Sequence, residues 1–354
     1  MTSLPNLRKA LKYTQGTLKN LLAKALIEYY EARGYRLLTV GRIKATLIIT
    51  EGWIPPRPIP LKKIKLTWEK STLPLPWRWK GLAEKLRKEC GLVIIDNPVY
   101  RLIKVETDLN LTFTMGSYEE FIETCGALEW EVALAISQLE ELPKDMQKLL
   151  LFIEDKLEFR SKINPLNLEN RCAALGINTL TVIKEEGRAY MLIHHRGFRT
   201  AEGRGSLHVV PAGTFQPLDK HDRYHHLEFD LTWNIIREFA EELLGLKGSE
   251  KQNHIYKQLL KLKEILLSAG DLFFLGLTLD VMRLKPEILT LLILNSKQLE
   301  TFDVKFNIKR GWEGTVEKIL LNKKTLHTII KNPRMLSAGK GCLMLSLPVL
   351  NNIL

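Results

Sequence analysis

The sequence predicts an α/β fold of the α+β kind, in which a smaller basic α+β domain precedes a larger domain. β-rich runs alternate with helical patterns along the 354 residues, and 45% of the residues are hydrophobic, as in globular proteins. The length is sufficient for two domains. The formal charge of +12 is unevenly divided, because residues 1–105 contain 21 Lys and Arg against 7 Asp and Glu. All of the basic excess is therefore N-terminal.

The N-terminal part mixes helical and β-rich patterns. Residues 17–32 have helical spacing and stop near Gly34, where a glycine favours a helix end. One further helical pattern covers residues 81–90, and β-rich runs cover 36–40, 45–50, 64–68, 92–95 and 99–105.

The charge balance reverses in residues 106–162, which contain 13 acidic and 5 basic residues, and residues 118–160 are mostly helical in pattern. The turn-rich residues that follow, 161–170, mark a domain boundary. We therefore predict a basic accessory domain over residues 1–165, with an acidic helical segment at 106–162, and a second domain over residues 170–354.

The second domain begins with β-rich runs at 178–184 and 189–195, joined by a short polar turn that predicts a hairpin. A third run at 207–210 leads into Pro211-Ala212-Gly213, and a helical, carboxylate-rich segment ends at Gly245. Further β-rich runs, a helical pattern and an apolar tail follow at 272–279, 287–294, 316–330 and 343–354.

The carboxylate-rich helix carries the strongest functional signal. Arg237, Glu238, Glu241 and Glu242 lie within about one and a half helical turns, and residues three or four apart share a helix face. Three converging carboxylates suit a hard cation such as Mg²⁺ or Mn²⁺. The same spacing also suits a solvated helix in which Arg237 and Glu241 form an ordinary i,i+4 pair.

This region resembles the Nudix hydrolase motif, G-x5-E-x7-R-E-U-x-E-E-x-G-U, where U is a bulky aliphatic residue. The segment Arg237-Glu238-Phe239-Ala240-Glu241-Glu242 matches its R-E-U-x-E-E core, and Pro211-Ala212-Gly213 resembles its opening. Gly245 comes one residue late. The resemblance covers roughly residues 170–354 and implies a mixed sheet packed between helices.

The motif departs from the family pattern before the helix. Gly213 lies twenty-four residues before Arg237, so the connecting loop is about ten residues longer than in the family. The family pattern has a Glu eight residues before the Arg, and this chain has Phe229 there. Glu228 and Asp230 flank that position, and either could substitute for the missing carboxylate.

The resemblance implies a Mg²⁺-dependent (or Mn²⁺-dependent) hydrolase that cleaves a nucleoside diphosphate linked to another moiety. Its metal ligands would be Glu238, Glu241 and Glu242. Arg237 would orient one of these carboxylates. The alternative is a catalytically inactive Nudix-like nucleotide sensor or regulatory protein whose basic N-terminal half binds nucleic acid.

Other residues near the motif are weaker candidates. Gly213 and Arg196 are candidates for substrate binding, although a surface role for Arg196 is equally compatible with its position. Six of the eight histidines lie between residues 194 and 226, but no cysteine lies among them, so a structural zinc site is disfavoured. The longer loop, residues 218–227, is expected to set specificity.

The composition of the chain indicates which partners and which location to expect. Residues 1–105 combine lysines with tryptophans, as in Trp77-Arg78-Trp79-Lys80, which suits single-stranded nucleic acid, although the same pattern suits a lysine-rich solvent face with buried rings. The sequence contains no run of eighteen apolar residues, so it does not predict an integral membrane protein. Four dispersed cysteines fit a cytoplasmic location. A homodimer is common in the resembling family.

Overall fold

The chain forms a mixed α/β fold, as its sequence predicts. The computed structural model describes residues 6–70, 74–141, 143, 145–197, 205–218, 225–246, 252–301 and 314–353. The helices are α1 (Leu7–Ala10), α2 (Gly16–Glu31), α3 (Leu82–Cys90), α4 (Tyr118–Phe121), α5 (Ala127–Ser137), α6 (Met146–Glu154), α7 (Glu158–Ser161), α8 (His225–Glu228), α9 (Leu231–Leu243), α10 (Gln252–Ala269), α11 (Ser296–Thr301), α12 (Lys323–Lys331) and α13 (Ser337–Leu350). The strands are β1 (Arg36–Val40), β2 (Ile43–Ile49), β3 (Ile59–Pro60), β4 (Lys65–Trp68), β5 (Pro98–Val105), β6 (Asn110–Ser117), β7 (Gly176–Glu185), β8 (Arg188–Arg196), β9 (Leu207–Val209), β10 (Ala212–Thr214), β11 (Gly270–Asp280), β12 (Pro286–Asn295) and β13 (Gly314–Leu320).

The large sheet is mixed and has the strand order β1-β2-β11-β12-β7-β8-β13, with β3, β9 and β10 attached to its sides. Strands β12 and β7 run parallel, and the other pairs are antiparallel. Strand β2 pairs with β11 through Ile48 and Leu279, so segments of both predicted domains build one sheet. The boundary between residues 165 and 170 stays a prediction.

Helices cover both faces of this sheet. On one face, α13 packs against β7 and β12, where Leu343 and Met344 join a core with Leu180 and Val182. On the other face, α9 packs against β7 and β10, and α10 packs against α9. Ile177 and Ile183 of β7 belong to the core on this other face, because successive side chains of a strand point to opposite faces. The sheet thus positions α9 directly over β10.

The second sheet has the order β4-β6-β5 and is tied to the loop that precedes α9. The rings of Trp68, Tyr100, Phe113, Phe215 and Phe229 form one aromatic cluster, with centroids of neighbouring rings 4.4 to 6.2 Å apart. These separations are typical of favourable aromatic pairs. The N-terminal segment therefore holds both ends of the loop between β10 and α9.

A buried arginine ties the N-terminal helices to the turn between β11 and β12. Arg160 is 1% exposed, and its guanidinium donates to the Tyr30 hydroxyl at 2.6 Å. It also donates to the backbone carbonyls of Leu128, Val281 and Met282 at 2.6 to 2.9 Å. Because buried polar groups are costly when left without partners, this one side chain stabilises contacts among four segments.

Two expectations about local structure were wrong. Residues 316–330 do not form one helix, because β13 pairs with β8 as far as Leu320 and α12 then begins at an Asn322 capping box. Residues 92–95 do not form a strand, because Leu92 bonds back to the Leu86 carbonyl at the end of α3. Tertiary pairing and local capping override the short apolar patterns.

Among the described parts of the chain, no helix has both the length and the apolar character that crossing a bilayer requires.

Candidate functional site

Helix α9 begins where Asp230 caps it. The Asp230 carboxylate accepts hydrogen bonds from the backbone N–H of Thr232 at 2.7 Å and of Trp233 at 3.3 Å. Its other oxygen lies 2.5 Å from Lys263 Nζ on α10. Asp230 therefore acts as a helix cap, which is the usual role of an Asp at this position.

The helix buries an apolar face and ends at a glycine. Ile235, Ile236, Phe239 and Leu243 are at most 1% exposed, as the spacing of the apolar residues predicts. The helix runs through Leu243, and Gly245 follows with φ +72°, a conformation that glycine adopts without strain. Gly245 therefore follows the C-cap residue, Leu244, at the position where glycine commonly ends a helix.

Two of the three predicted carboxylates converge on β10. Glu242 Oε2 accepts a hydrogen bond from the Ala212 N–H at 2.9 Å. The Glu238 carboxylate lies so close to Gly213 that a Cβ at that position would overlap it, so glycine is required there. The side chain of Glu241, in contrast, is 39% exposed. The site is therefore a carboxylate pair with a third carboxylate at its edge.

Arg237 lies buried behind this pair. Its side chain is 4% exposed, and Nη2 contacts Glu238 Oε1 at 2.5 Å. Nη1 donates to the Gln216 carbonyl at 2.7 Å, while Nε lies 3.8 Å from Glu241 Oε1. Burial lowers the pKa of the guanidinium, but Glu238 and Glu241 outweigh burial, so the pKa lies above its ordinary value. Arg237 is therefore a fixed positive charge that orients Glu238.

Burial has the largest effect on the electrostatics of Glu238. Burial, followed by the nearby Glu242 carboxylate, raises the pKa of Glu238, whereas Arg237 and Arg196 act to lower it. Arg196, at the end of β8, is thus close enough to influence this carboxylate. An added cation would relieve the repulsion between Glu238 and Glu242.

The residues at the unmatched motif position have structural roles. Phe229 belongs to the aromatic cluster, where its ring lies 5.2 Å from that of Tyr100. Glu228 is 1% exposed, accepts from the Leu218 N–H at 3.0 Å and contacts the Tyr256 hydroxyl. Both side chains therefore anchor the segment that precedes α9.

Replacing Phe229 by Glu would introduce the residue that the Nudix motif has at this position but is expected to destabilise the protein. The carboxylate would replace a ring that contacts four other rings, and we expect a loss of about 3 kcal/mol in the free energy of unfolding. Urea denaturation of Phe229→Glu and of the matched Phe229→Leu measures this. A Glu variant as stable as the wild type would contradict the structural role of the ring.

Sequence reasoning missed His194 as a member of the site. Its imidazole Nδ1 lies 3.6 Å from Glu242 Oε1, and both side chains are about 5% exposed. The available signal was strand alternation: Leu192, His194 and Arg196 share one face of β8, and Leu192 faces the core that contains α9. Its neighbour His195 points to the other face and pairs with Glu317.

The other predicted residues lie apart from the carboxylates or outside the described residues. Residues 219–224, which make up most of the expected specificity loop, fall outside what the structure describes. In the basic half, Trp79 packs against Phe159 and the Lys162 ammonium lies over the Trp77 ring. These tryptophans are partly buried, and nucleic-acid binding there stays a prediction.

The carboxylate pair suits a Mg²⁺ ion that keeps most of its water. Among the described residues, no group of three or more His, Cys, Asp and Glu side chains is arranged to hold a metal ion. Mg²⁺, however, is commonly held by one or two carboxylates together with water and substrate phosphate. Glu238 and Glu242, whose mutual repulsion a cation would relieve, fit that mode.

Comparisons with known proteins add no family assignment. No protein-family model matches the chain, and a search of the curated proteins found no match.

Proposed function

We propose that this protein is a Mg²⁺-dependent hydrolase of the Nudix type that cleaves a nucleoside diphosphate linked to another moiety. The observation that carries the proposal is the convergence of Glu238 and Glu242 on the Ala212-Gly213 strand, beside Arg237. The motif resemblance involves the same residues. A mixed sheet lying between helices supports the proposal as the expected framework.

The residues of the chain have distinct tasks in this proposal. Glu238 and Glu242 would hold the ion from the face of α9, and Arg237 keeps Glu238 oriented through a 2.5 Å contact. Arg196, whose charge already acts on Glu238, would meet a substrate phosphate. Gly213 leaves room for the Glu238 carboxylate. Mg²⁺, when bound, activates water and neutralises charge on the pyrophosphate.

The partners and location follow from the same proposal. The substrate would be a nucleotide-type small molecule, and a homodimer stays a prediction of the resemblance. Cys125, Cys172 and Cys342 are buried free thiols, which supports a reducing cytoplasmic location.

Incubation of the purified protein with a panel of nucleoside diphosphate derivatives tests the proposal. We expect release of a nucleoside monophosphate and a phosphorylated moiety in the presence of Mg²⁺, and none after EDTA treatment, because the ion supplies the activated water. Cleavage is followed by chromatography of the products. EDTA-resistant cleavage would contradict the metal requirement.

The inactive-sensor alternative makes a different prediction for the same panel. The presence of Phe229 at the family's Glu position favours it. A compound that raises the melting temperature of the protein but is not cleaved at any Mg²⁺ concentration would replace the hydrolase by a sensor.

A further inference from the structure

We infer that His194 is a positioning residue that fixes the Glu242 carboxylate against β10. The inference rests on the proposed function, because Glu242 is one of the two carboxylates that would hold the ion. Glu242 Oε2 accepts from the Ala212 N–H at 2.9 Å, and Oε1 lies 3.6 Å from His194 Nδ1. Each carboxylate oxygen therefore has a polar neighbour on a different strand.

The imidazole has little freedom to move from this place. The His194 side chain is 5% exposed and lies between α9 and β13. At the start of β13, a Cβ on Gly314 would come within 2.7 Å of His194 Nε2 and would also overlap the His195 carbonyl. Gly314 has φ +139°, a conformation that favours glycine. The backbone of β13 thus packs closely against the His194 ring, and we call the space that the ring occupies between α9 and β13 the His194 slot.

The titratable groups around the His194 slot belong to three elements. Glu242 and Glu238 face it from α9, Arg196 follows on β8, and His208 lies opposite His194 on β9. A carboxylate held by the Ala212 amide alone could rotate about its last torsion and turn an oxygen away. The imidazole beside Oε1 restricts that rotation. Groups that orient a metal-binding carboxylate in this way commonly change metal affinity by about 10-fold to 100-fold.

The first test needs neither a metal ion nor a substrate. Amide hydrogen exchange at Ala212 is measured by NMR in the full chain, as wild type, His194→Ala and His194→Gln. We expect faster exchange in His194→Ala, because the carboxylate that accepts this amide proton loses its second neighbour. His194→Gln keeps a polar side chain of similar reach and should restore much of the protection. His195→Ala is the matched control, since His195 pairs with Glu317 on the opposite face.

The second test measures Mn²⁺ binding to the same variants by electron paramagnetic resonance of the free ion. We expect a dissociation constant about 10-fold higher in His194→Ala. In a Glu242→Gln background the same substitution should add no further loss, because the two residues act through one contact. The His195→Ala control should bind Mn²⁺ like the wild type.

The outcomes separate this inference from the proposed function. Unchanged Ala212 exchange and unchanged Mn²⁺ affinity in His194→Ala would overturn the positioning role. Faster exchange in a protein whose wild type binds no Mn²⁺ would support the contact with Glu242 and overturn the metal-dependent function. If His194→Ala fails to fold, His194→Gln is compared with His194→Leu instead. Equal Ala212 amide protection and equal Mn²⁺ affinity in these two variants would also overturn the inference.

Discussion

Replacing Glu242 by Gln is expected to lower kcat for Mg²⁺-dependent cleavage about 100-fold to 1,000-fold, the range for losing one preorganised charged group. Gln has nearly the same volume and can still accept the Ala212 N–H, which Glu242 binds at 2.9 Å. The change therefore removes the negative charge that would hold the ion and leaves the packing intact. Steady-state kinetics over a range of Mg²⁺ concentrations measure the effect.

Glu241→Gln provides the matched comparison, because the family motif treats these two positions alike and the structure does not. The Glu241 side chain is 39% exposed, whereas that of Glu242 is 6% exposed and faces β10. We expect Glu241→Gln to lower kcat by about 10-fold at most, since an exposed charge is screened by water. A larger loss in Glu241→Gln than in Glu242→Gln would exclude the proposed arrangement of the site.

Replacing Arg160 by Met is expected to reduce the free energy of unfolding by about 3 to 5 kcal/mol. The substitution keeps an unbranched side chain but leaves three backbone carbonyls and the Tyr30 hydroxyl without their buried donor. Urea denaturation followed by circular dichroism gives the value from the midpoint and slope.

Arg33→Met is the control for this change. Arg33 also contacts a tyrosine of α2, since its guanidinium lies 3.6 Å from the centroid of the Tyr29 ring. Its ion pair with Glu154 is 40% and 35% exposed, and exposed pairs contribute about 0 to 1 kcal/mol. Equal destabilisation by the two substitutions would show that Arg160 does not depend on its buried carbonyl partners.

Local features of the sequence were sufficient to predict the elements around the site. Strands β7 and β8 and the buried face of α9 follow from short-range periodicity, which each segment carries by itself. The carboxylate cluster was also recognised, because three and four residue spacing determines which side chains share a helix face. The cap at Asp230 is also local, since its partners lie two and three residues along the chain. The role of the Phe229 ring was harder to assign, because it depends on rings elsewhere in the chain.

The parts that sequence reasoning missed depend on pairing between distant segments. His194 reaches Glu242 only because α9 packs against β7 and β10 beside β8, and no local pattern sets that placement. Glu241 was given the same role as Glu242, because helix spacing does not show which side of the cluster faces the sheet. The joining of β2 to β11 likewise requires knowledge of which strand edges meet.

That last pairing has a consequence for how the protein is made. The hairpin of β1 and β2 leaves the ribosome before β11 is synthesised. The edge of β2 that pairs with Leu279 in the folded protein is therefore unpaired with β11 during this time. Exposed strand edges pair readily with other chains. Because chains emerge from the N-terminus, slower translation prolongs the time during which this edge of β2 can pair with another chain.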